Sequence, residues 1–230
     1  IARGPEGDWR IGGCTTWAGI AGADLPPAFD ALRAAARVVG GRQVQTAGTI
    51  GGNLCNASPA ADGVPPLLAL DAGVDLASAG GMRRLPLAAF LTGPRRTALR
   101  PGEVLAAVTV PAAAARGASA FEKLGARAHL VISIVMVAAR VELRAGRIAA
   151  AALAVGACSG VARRLPAVEA ALAGVPAAEA AGRIDAAAVA AALDPLDDIR
   201  ASAAYRREAA ADLLRRAVAR AVNQPETEAP

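Results

Sequence analysis

Residues 45–62 read QTAGTIGGNLCNASPAAD, with three glycines, two threonines, two asparagines and a serine in a chain that is 54% hydrophobic. Glycine lets a backbone approach a ligand closely and take φ > 0 without steric cost. Successive N–H groups in such a stretch can form a concave nest for an anion, phosphate above all. Here TIGGN offers the N–H groups of Ile50, Gly51, Gly52 and Asn53, with Thr49 and Asn53 adding side-chain hydrogen bonds. No GxGxxG follows a strand and no Gly-Lys-Ser/Thr is present, so this is neither a dinucleotide fingerprint nor a P-loop. From these residues alone, a diphosphate-binding loop and an irregular loop stand level. So poor in large apolar side chains, the stretch is expected to form no core element of its own.

Other chemistry-bearing residues are sparse. The single histidine, His129, precedes the apolar run LVISIVMVAA. One histidine supports neither a histidine-based metal site nor a Ser/His triad, so packing or a hydrogen-bonded edge position is its expected fate. Cys14, Cys55 and Cys158 are too far apart for a CxxC-type motif and read as reduced thiols. The net charge of +5 comes from scattered arginines without interleaved aromatic residues, which argues against nucleic-acid binding. Residues 130–139 are too short to span a bilayer, and Arg140 and Glu142 follow at once. With no signal-peptide pattern in the opening residues, the expected location is cytoplasmic.

The surrounding elements must position these groups. At 230 residues the chain can bury a substantial core, and its hydrophobicity is incompatible with disorder. Residues 10–13 read as a strand end, with Thr15 or Thr16 as the cap of a following helix. Residues 26–39 carry proline at the start and Phe29, Leu32, Ala36 and Val39 at helical spacing, ending at Gly40-Gly41. Residues 64–70 form a buried apolar helix, 73–78 and 82–85 a strand pair about a Gly-Gly turn, and 103–111 a strand ended by proline. Beyond a boundary at 112–119, two apolar runs, 130–143 and 148–157, predict a hairpin covered by helices. Helical patterns follow at 161–173, 185–193 and 198–222, the last with Leu213, Leu214, Ala217, Val218 and Ala221 on one stripe. Its Arg206, Arg207, Arg215, Arg216 and Arg220 are expected to stay in water. The pattern is α+β in two domains, 1–115 and 116–223, with a frayed tail at 224–230.

The glycine stretch, TAGTIGGNLCNASPAAD, closely resembles the FAD-binding loop of the flavoprotein (medium) subunits of molybdenum hydroxylases. That family includes the carbon monoxide dehydrogenase medium subunit and the flavin domain of xanthine dehydrogenase. RIGGCTTWAGI resembles its strand-and-TT segment, and GPRRTALRPGEVLAAVTVP its GxxxTxLxxGEil…vxvP block. FEKLGAR resembles its YxKxxxR segment, with Phe121 in place of the usual tyrosine. DDIRASAAYRREAAADLLRRAV is similar to its closing helix with the RAS..YR signature. Together these cover most of the chain in the family's order.

The resemblance implies a PCMH-type (vanillyl-alcohol-oxidase-like) FAD-binding domain followed by a C-terminal domain of antiparallel sheet plus helices. It implies that Gly48, Thr49, Ile50, Gly51, Gly52 and Asn53 face the pyrophosphate and ribityl end of FAD. Asp62 would hydrogen-bond a flavin-nucleotide hydroxyl, with capping of the 64–70 helix as its plain alternative. Leu105 would pack on the flavin ring, Val39 would pack near the adenine or flavin, and Lys123 would approach the isoalloxazine and tune its potential. No catalytic acid, base or nucleophile and no metal ligand is expected on this chain. The implied partners are a large molybdenum-cofactor subunit and a small 2Fe-2S subunit, in a dimer of heterotrimers. The implied activity is that of an oxidoreductase subunit passing electrons from iron–sulfur clusters through FAD to an external acceptor. In this family a first glycine-rich loop, AGGxS or GGTDL, precedes the RIGG strand, and nothing before Arg10 resembles it. The N-terminal subdomain is therefore expected to be absent, which leaves a second reading, a truncated assembly or docking module without FAD of its own.

Overall fold

The computed structural model describes residues 1–224, so most of the expected tail lies outside the described residues. The first half opens with strands β1 (Ala2–Arg3) and β2 (Trp9–Gly12), then helices α1 (Trp17–Ala21), α2 (Asp30–Val38), α3 (Arg42–Ala47), α4 (Ile50–Asn56) and α5 (Val64–Ala69). It continues through β3 (Gly73–Ser78), β4 (Gly81–Pro86), α6 (Leu87–Phe90), β5 (Leu91–Gly93), β6 (Arg96–Thr97) and β7 (Val104–Val110). Five of these strands form one sheet in the order β1-β2-β7-β3-β4, every neighbour antiparallel.

The second half begins at β8 (Ala118–Leu124) and continues with β9 (Val135–Arg144), β10 (Arg147–Gly156) and β11 (Arg163–Arg164). These pair antiparallel in the order β11-β10-β9-β8. Helices α7 (Pro166–Ala170), α8 (Ala177–Ala180), α9 (Ala186–Ala191) and α10 (Ala203–Val222) complete the chain. The β9–β10 turn is Ala145-Gly146 with φ of 50° and 70°, the two-residue geometry whose twist suits a tight hairpin. Ser202 caps α10 by accepting the Tyr205 N–H, and Leu213, Leu214, Ala217, Val218 and Ala221 are buried against the sheet.

Local chemistry explains where the elements depart from the sequence reading. The 45–62 stretch does form core elements, because Thr49 Oγ1 accepts the Gly52 N–H and starts α4, and Ile50, Gly51 and Leu54 are buried. Residues 161–173 are not one helix: Arg163 and Arg164 pair with β10, and Pro166, which cannot sit inside a helix, starts α7. β9 begins at Val135 rather than at 130, and His129 is exposed in the connecting segment instead of packed. Arg206 is buried rather than in water: its guanidinium donates to the carbonyls of Ile134 and Ala157 and to Asp198.

The halves meet along a seam of small side chains. Ala31 and Ala35 of α2 and Ala69 of α5 pack on Phe121, Met136, Ala138 and Ala152 of the second sheet. Polar contacts pin it. Ser119 Oγ donates to Ala28 O at 2.7 Å and accepts the Ala31 N–H at 2.9 Å. The last carbonyls of a helix lack partners one turn further on, and at the end of α5 Leu68 O takes the Asp71 N–H at 3.0 Å. Leu68 O accepts Arg164 Nη1 and Ala69 O accepts Arg140 Nε, both at 2.8 Å. Asp71 bridges the same two arginines.

Candidate functional site

Two groups of residues come together beside α5. The first is built on Gly13 at the end of β2. An ideal Cβ on Gly13 would lie 2.3 Å from the carbonyl oxygen of Leu105, and one on Gly51 would lie 2.6 Å from that of Gly13. Only glycines permit this stack, which seats the start of α4 on β7. Thr16, the cap of α1, bridges Thr49, and Trp17 N donates to Gly48 O at 3.1 Å. The sequence thus brings Leu105 and Gly48, Thr49, Ile50, Gly51, Gly52 and Asn53 into one cluster.

That cluster is not an open nest. Ile50 N donates to Thr15 O, Gly51 N to Gly13 O, Gly52 N to Thr49 Oγ1 and Asn53 N to Thr49 O. Ile50 is fully buried, so its side chain serves the core, whereas Gly52 is exposed. Asn53 Oδ1 is buried and has no hydrogen-bond partner among the described residues. An ideal Cβ on Gly63 would lie 3.1 Å from Asn53 Oδ1, which places that orphaned oxygen beside the residue after Asp62.

The second group spans the two halves. Lys123 Nζ lies 2.6 Å from Asp62 Oδ2 and 3.5 Å from the carbonyl of Val38. Ser133 Oγ donates to Asp62 Oδ1 at 2.5 Å. Asp62 does not cap α5, whose N-cap is Gly63 with no side-chain bond. Burial pushes the Asp62 carboxyl above its ordinary range, while the charge and hydrogen bond of Lys123 and the Ser133 hydroxyl pull the other way. Val39, the C-cap of α2, follows the residue whose carbonyl faces Lys123. A cavity of about 600 Å³ opens here, lined by Val38, Phe121, Lys123, Arg127 and Arg220 among others.

Several of these residues are not among the expected binders. Gly13, Thr15, Thr16 and Trp17 lie in the GGCTTW segment, which reads as a strand end and helix cap and resembles the family's strand-and-TT segment, but nothing in it names Gly13 as the support of α4. Ser133 is a lone hydroxyl inside an apolar run. A polar group there must find a partner, but nothing local names which one.

Two family models match the chain in series. Residues 2–113 match the FAD binding domain in molybdopterin dehydrogenase, and residues 119–221 the CO dehydrogenase flavoprotein C-terminal domain. The nicotinate dehydrogenase FAD-subunit of Eubacterium barkeri is 44% identical over 46% of this chain and 36% of its own length. A putative xanthine dehydrogenase FAD-binding subunit of Escherichia coli is 34% identical over 68% of this chain and 54% of its own. The chain therefore spans about half or less of the length of these relatives. Among solved structures, a Cu,Mo-CO dehydrogenase in cyanide-inactivated form superposes with a TM-score of 0.86 at 28% identity, covering 95% of this chain and 76% of that one. Quinoline 2-oxidoreductase from Pseudomonas putida 86 gives 0.83 at 26% identity, covering 96% and 77%. With both halves matched in order and the fold shared throughout, the chain belongs to the FAD-binding flavoprotein-subunit family of the molybdenum hydroxylases.

Proposed function

We infer that this chain is the FAD-carrying subunit of a molybdenum hydroxylase, an oxidoreductase component that passes electrons from iron–sulfur clusters through FAD to an external acceptor. The observation that carries this reading is the glycine-faced start of α4 standing beside a Lys123–Asp62 pair made across the two halves.

The residues present fit the cofactor. Asn53 Oδ1 is a buried acceptor lacking a donor among the described residues, and the exposed Gly52 allows close approach. When bound, FAD supplies the redox step, and the protein supplies binding, orientation and electrostatics. With the N–H groups of residues 50–53 bonded within the fold, this loop contributes the Thr49 hydroxyl, the exposed Gly52 surface and the Asn53 side chain. Leu105 and Val39 contribute apolar contact. Lys123 contributes the one ammonium of the site. Residues 1–115 form the FAD-binding part and 116–223 the C-terminal flavoprotein part.

The partners in this reading are a large molybdenum-cofactor subunit and a small 2Fe-2S subunit, in a dimer of heterotrimers in the cytoplasm. Among the described residues no helix is long and apolar enough to cross a membrane. The test is purification of the encoded protein with its neighbouring subunits, followed by absorbance and flavin quantitation. About one FAD per chain is expected, and a folded but colourless protein overturns the reading.

A further inference from the structure

Of the 25 lysine and arginine residues in this chain, Lys123 is the only lysine. Arginine serves every other cationic position, including the buried Arg140 and Arg206. The two side chains are not interchangeable: arginine presents a wide planar fork, lysine a compact ammonium with three donors. The lone ammonium stands at the wall of the 600 Å³ cavity with only 12% of its side chain exposed.

Asp62 is committed on both oxygens, one to Lys123 and one to Ser133, and is itself buried. A carboxylate has about four acceptor sites, so these two bonds fix Asp62 in place without exhausting it. Its charge acts directly on Lys123, which spends one donor on Asp62 and a second, at long range, on Val38 O. The third is left for the cavity. Ser133 stands on a fixed base, because Ile134 N donates to Leu124 O at 2.8 Å and Ile134 O accepts Arg206 Nη1 at 2.6 Å. Support of this kind fixes a functional group within the tolerance that binding requires.

We propose that Ser133 and Asp62 act together as positioning residues for Lys123, so that the C-terminal half supplies both the site's ammonium and the hydroxyl that orients it through Asp62. The proposal rests on the FAD reading above for the identity of the ligand, but the relay itself is a property of the protein without ligand. Without the Ser133 hydroxyl, Asp62 Oδ1 is left buried and unpaired, the protonated carboxyl gains, and Lys123 loses its fixed counter-charge. Nearby, Glu122 pairs with Arg220, so it does not replace Asp62 as the partner of Lys123.

The test uses the full chain labelled with 15N-lysine, in which a single lysine gives a single side-chain Nζ signal. Ser133→Ala is expected to move that signal in the flavin-free protein and to weaken FAD binding by about tenfold, the scale of one lost hydrogen bond to a charged group. Asp62→Asn is expected to move the signal further in the same direction. Ser133→Thr, which keeps the hydroxyl, is expected to restore the wild-type position. Lys123→Arg, which keeps the charge but not the shape, is expected to bind FAD as poorly as Ser133→Ala. An Nζ signal unmoved by Ser133→Ala in a folded protein overturns the relay, whatever the affinity does. If wild type binds no FAD while the signal still responds, the relay stands and the FAD reading falls.

Discussion

Gly51 lies directly on the backbone of Gly13, donating its N–H to the Gly13 carbonyl at 2.9 Å while its own Cα faces that oxygen with no room for a side chain. The contact ties the first sheet to the helix that begins the candidate site. Gly52, one residue on, is exposed, and a Cβ there would meet only the Thr49 hydroxyl, at 3.1 Å. Adjacent glycines therefore serve different purposes.

Gly51→Ala is expected to destabilise the fold by about 1–3 kcal/mol, the usual cost of overpacking. Gly52→Ala should stay within about 1 kcal/mol of wild type, since alanine's helix preference offsets the crowding of Thr49, yet it should weaken FAD binding. Denaturant unfolding and a flavin titration separate the two. A Gly52→Ala protein with wild-type affinity removes Gly52 from the site.

The arginine clamp at the end of α5 should respond asymmetrically. Arg140 is buried and donates to the Ala69 carbonyl, so Arg140→Ala leaves that acceptor unpaired and opens a void, costing about 2–4 kcal/mol. Asp71 is half exposed, and Arg164 keeps Glu169 as a partner, so Asp71→Ala should cost no more than about 1 kcal/mol. Equal losses from the two substitutions in urea unfolding would contradict this account.

Acid stability should track Glu103. Hydrogen bonds from Arg83 hold its carboxyl at about 2, against an ordinary 4.5. Because the folded value is the lower one, the stability it contributes is present above 4.5 and is lost as pH falls from there towards 2. Asp62 has the opposite sign: its folded value is raised above 3.8, so the folded state binds that proton first and acid does not remove its contribution. Glu103→Gln should flatten the loss of stability between pH 4.5 and 2, measured as unfolding free energy against pH. Asp62→Asn should not.

The three thiols should react in a fixed order. Cys14 is exposed, Cys55 is half-buried with its thiol pushed up by burial, and Cys158 is buried with its thiol pushed up to about 12. Since the thiolate is the nucleophile, a maleimide should label Cys14 first in the native protein and spare Cys158 until denaturant is added. Intact-mass spectrometry counts the adducts. Early modification of Cys158 would mean that the second core opens readily.

Elements bounded by local signals were legible in the sequence. The β3–β4 pair about Gly80-Gly81, the β9–β10 hairpin and the capped start of α9 at Asp185 follow from turn and cap residues alone. The helix at 50–56 was not, because the poor helix propensity of Gly51 and Gly52 argues against it, and the Thr49 cap and the approach of Gly51 to Gly13 explain why it forms; the short helix at 42–47 carries no apolar stripe to announce it. The sequence led to Asp62 and Lys123 separately but not to their pairing, to Ser133 not at all, and to Arg206 only as a side chain in water. Their partners lie 71 and 72 residues away, beyond any periodic or local pattern.

The alanine seam between the halves has a consequence for how the chain folds. Helices α2 and α5 of the first half and the sheet of the second each leave an apolar strip that is dry only when the other half is in place, so the two halves stabilise one another. The second half can nucleate locally through its β9–β10 hairpin, but the seam joins α2 to β8 and α5 to β9 across long stretches of chain, and such closures are slow. Heat should therefore melt the described protein in one cooperative transition rather than two, although its halves match separate family models. During synthesis the first half, emerging alone, must wait with Ala31, Ala35 and Ala69 uncovered until β8 and β9 arrive.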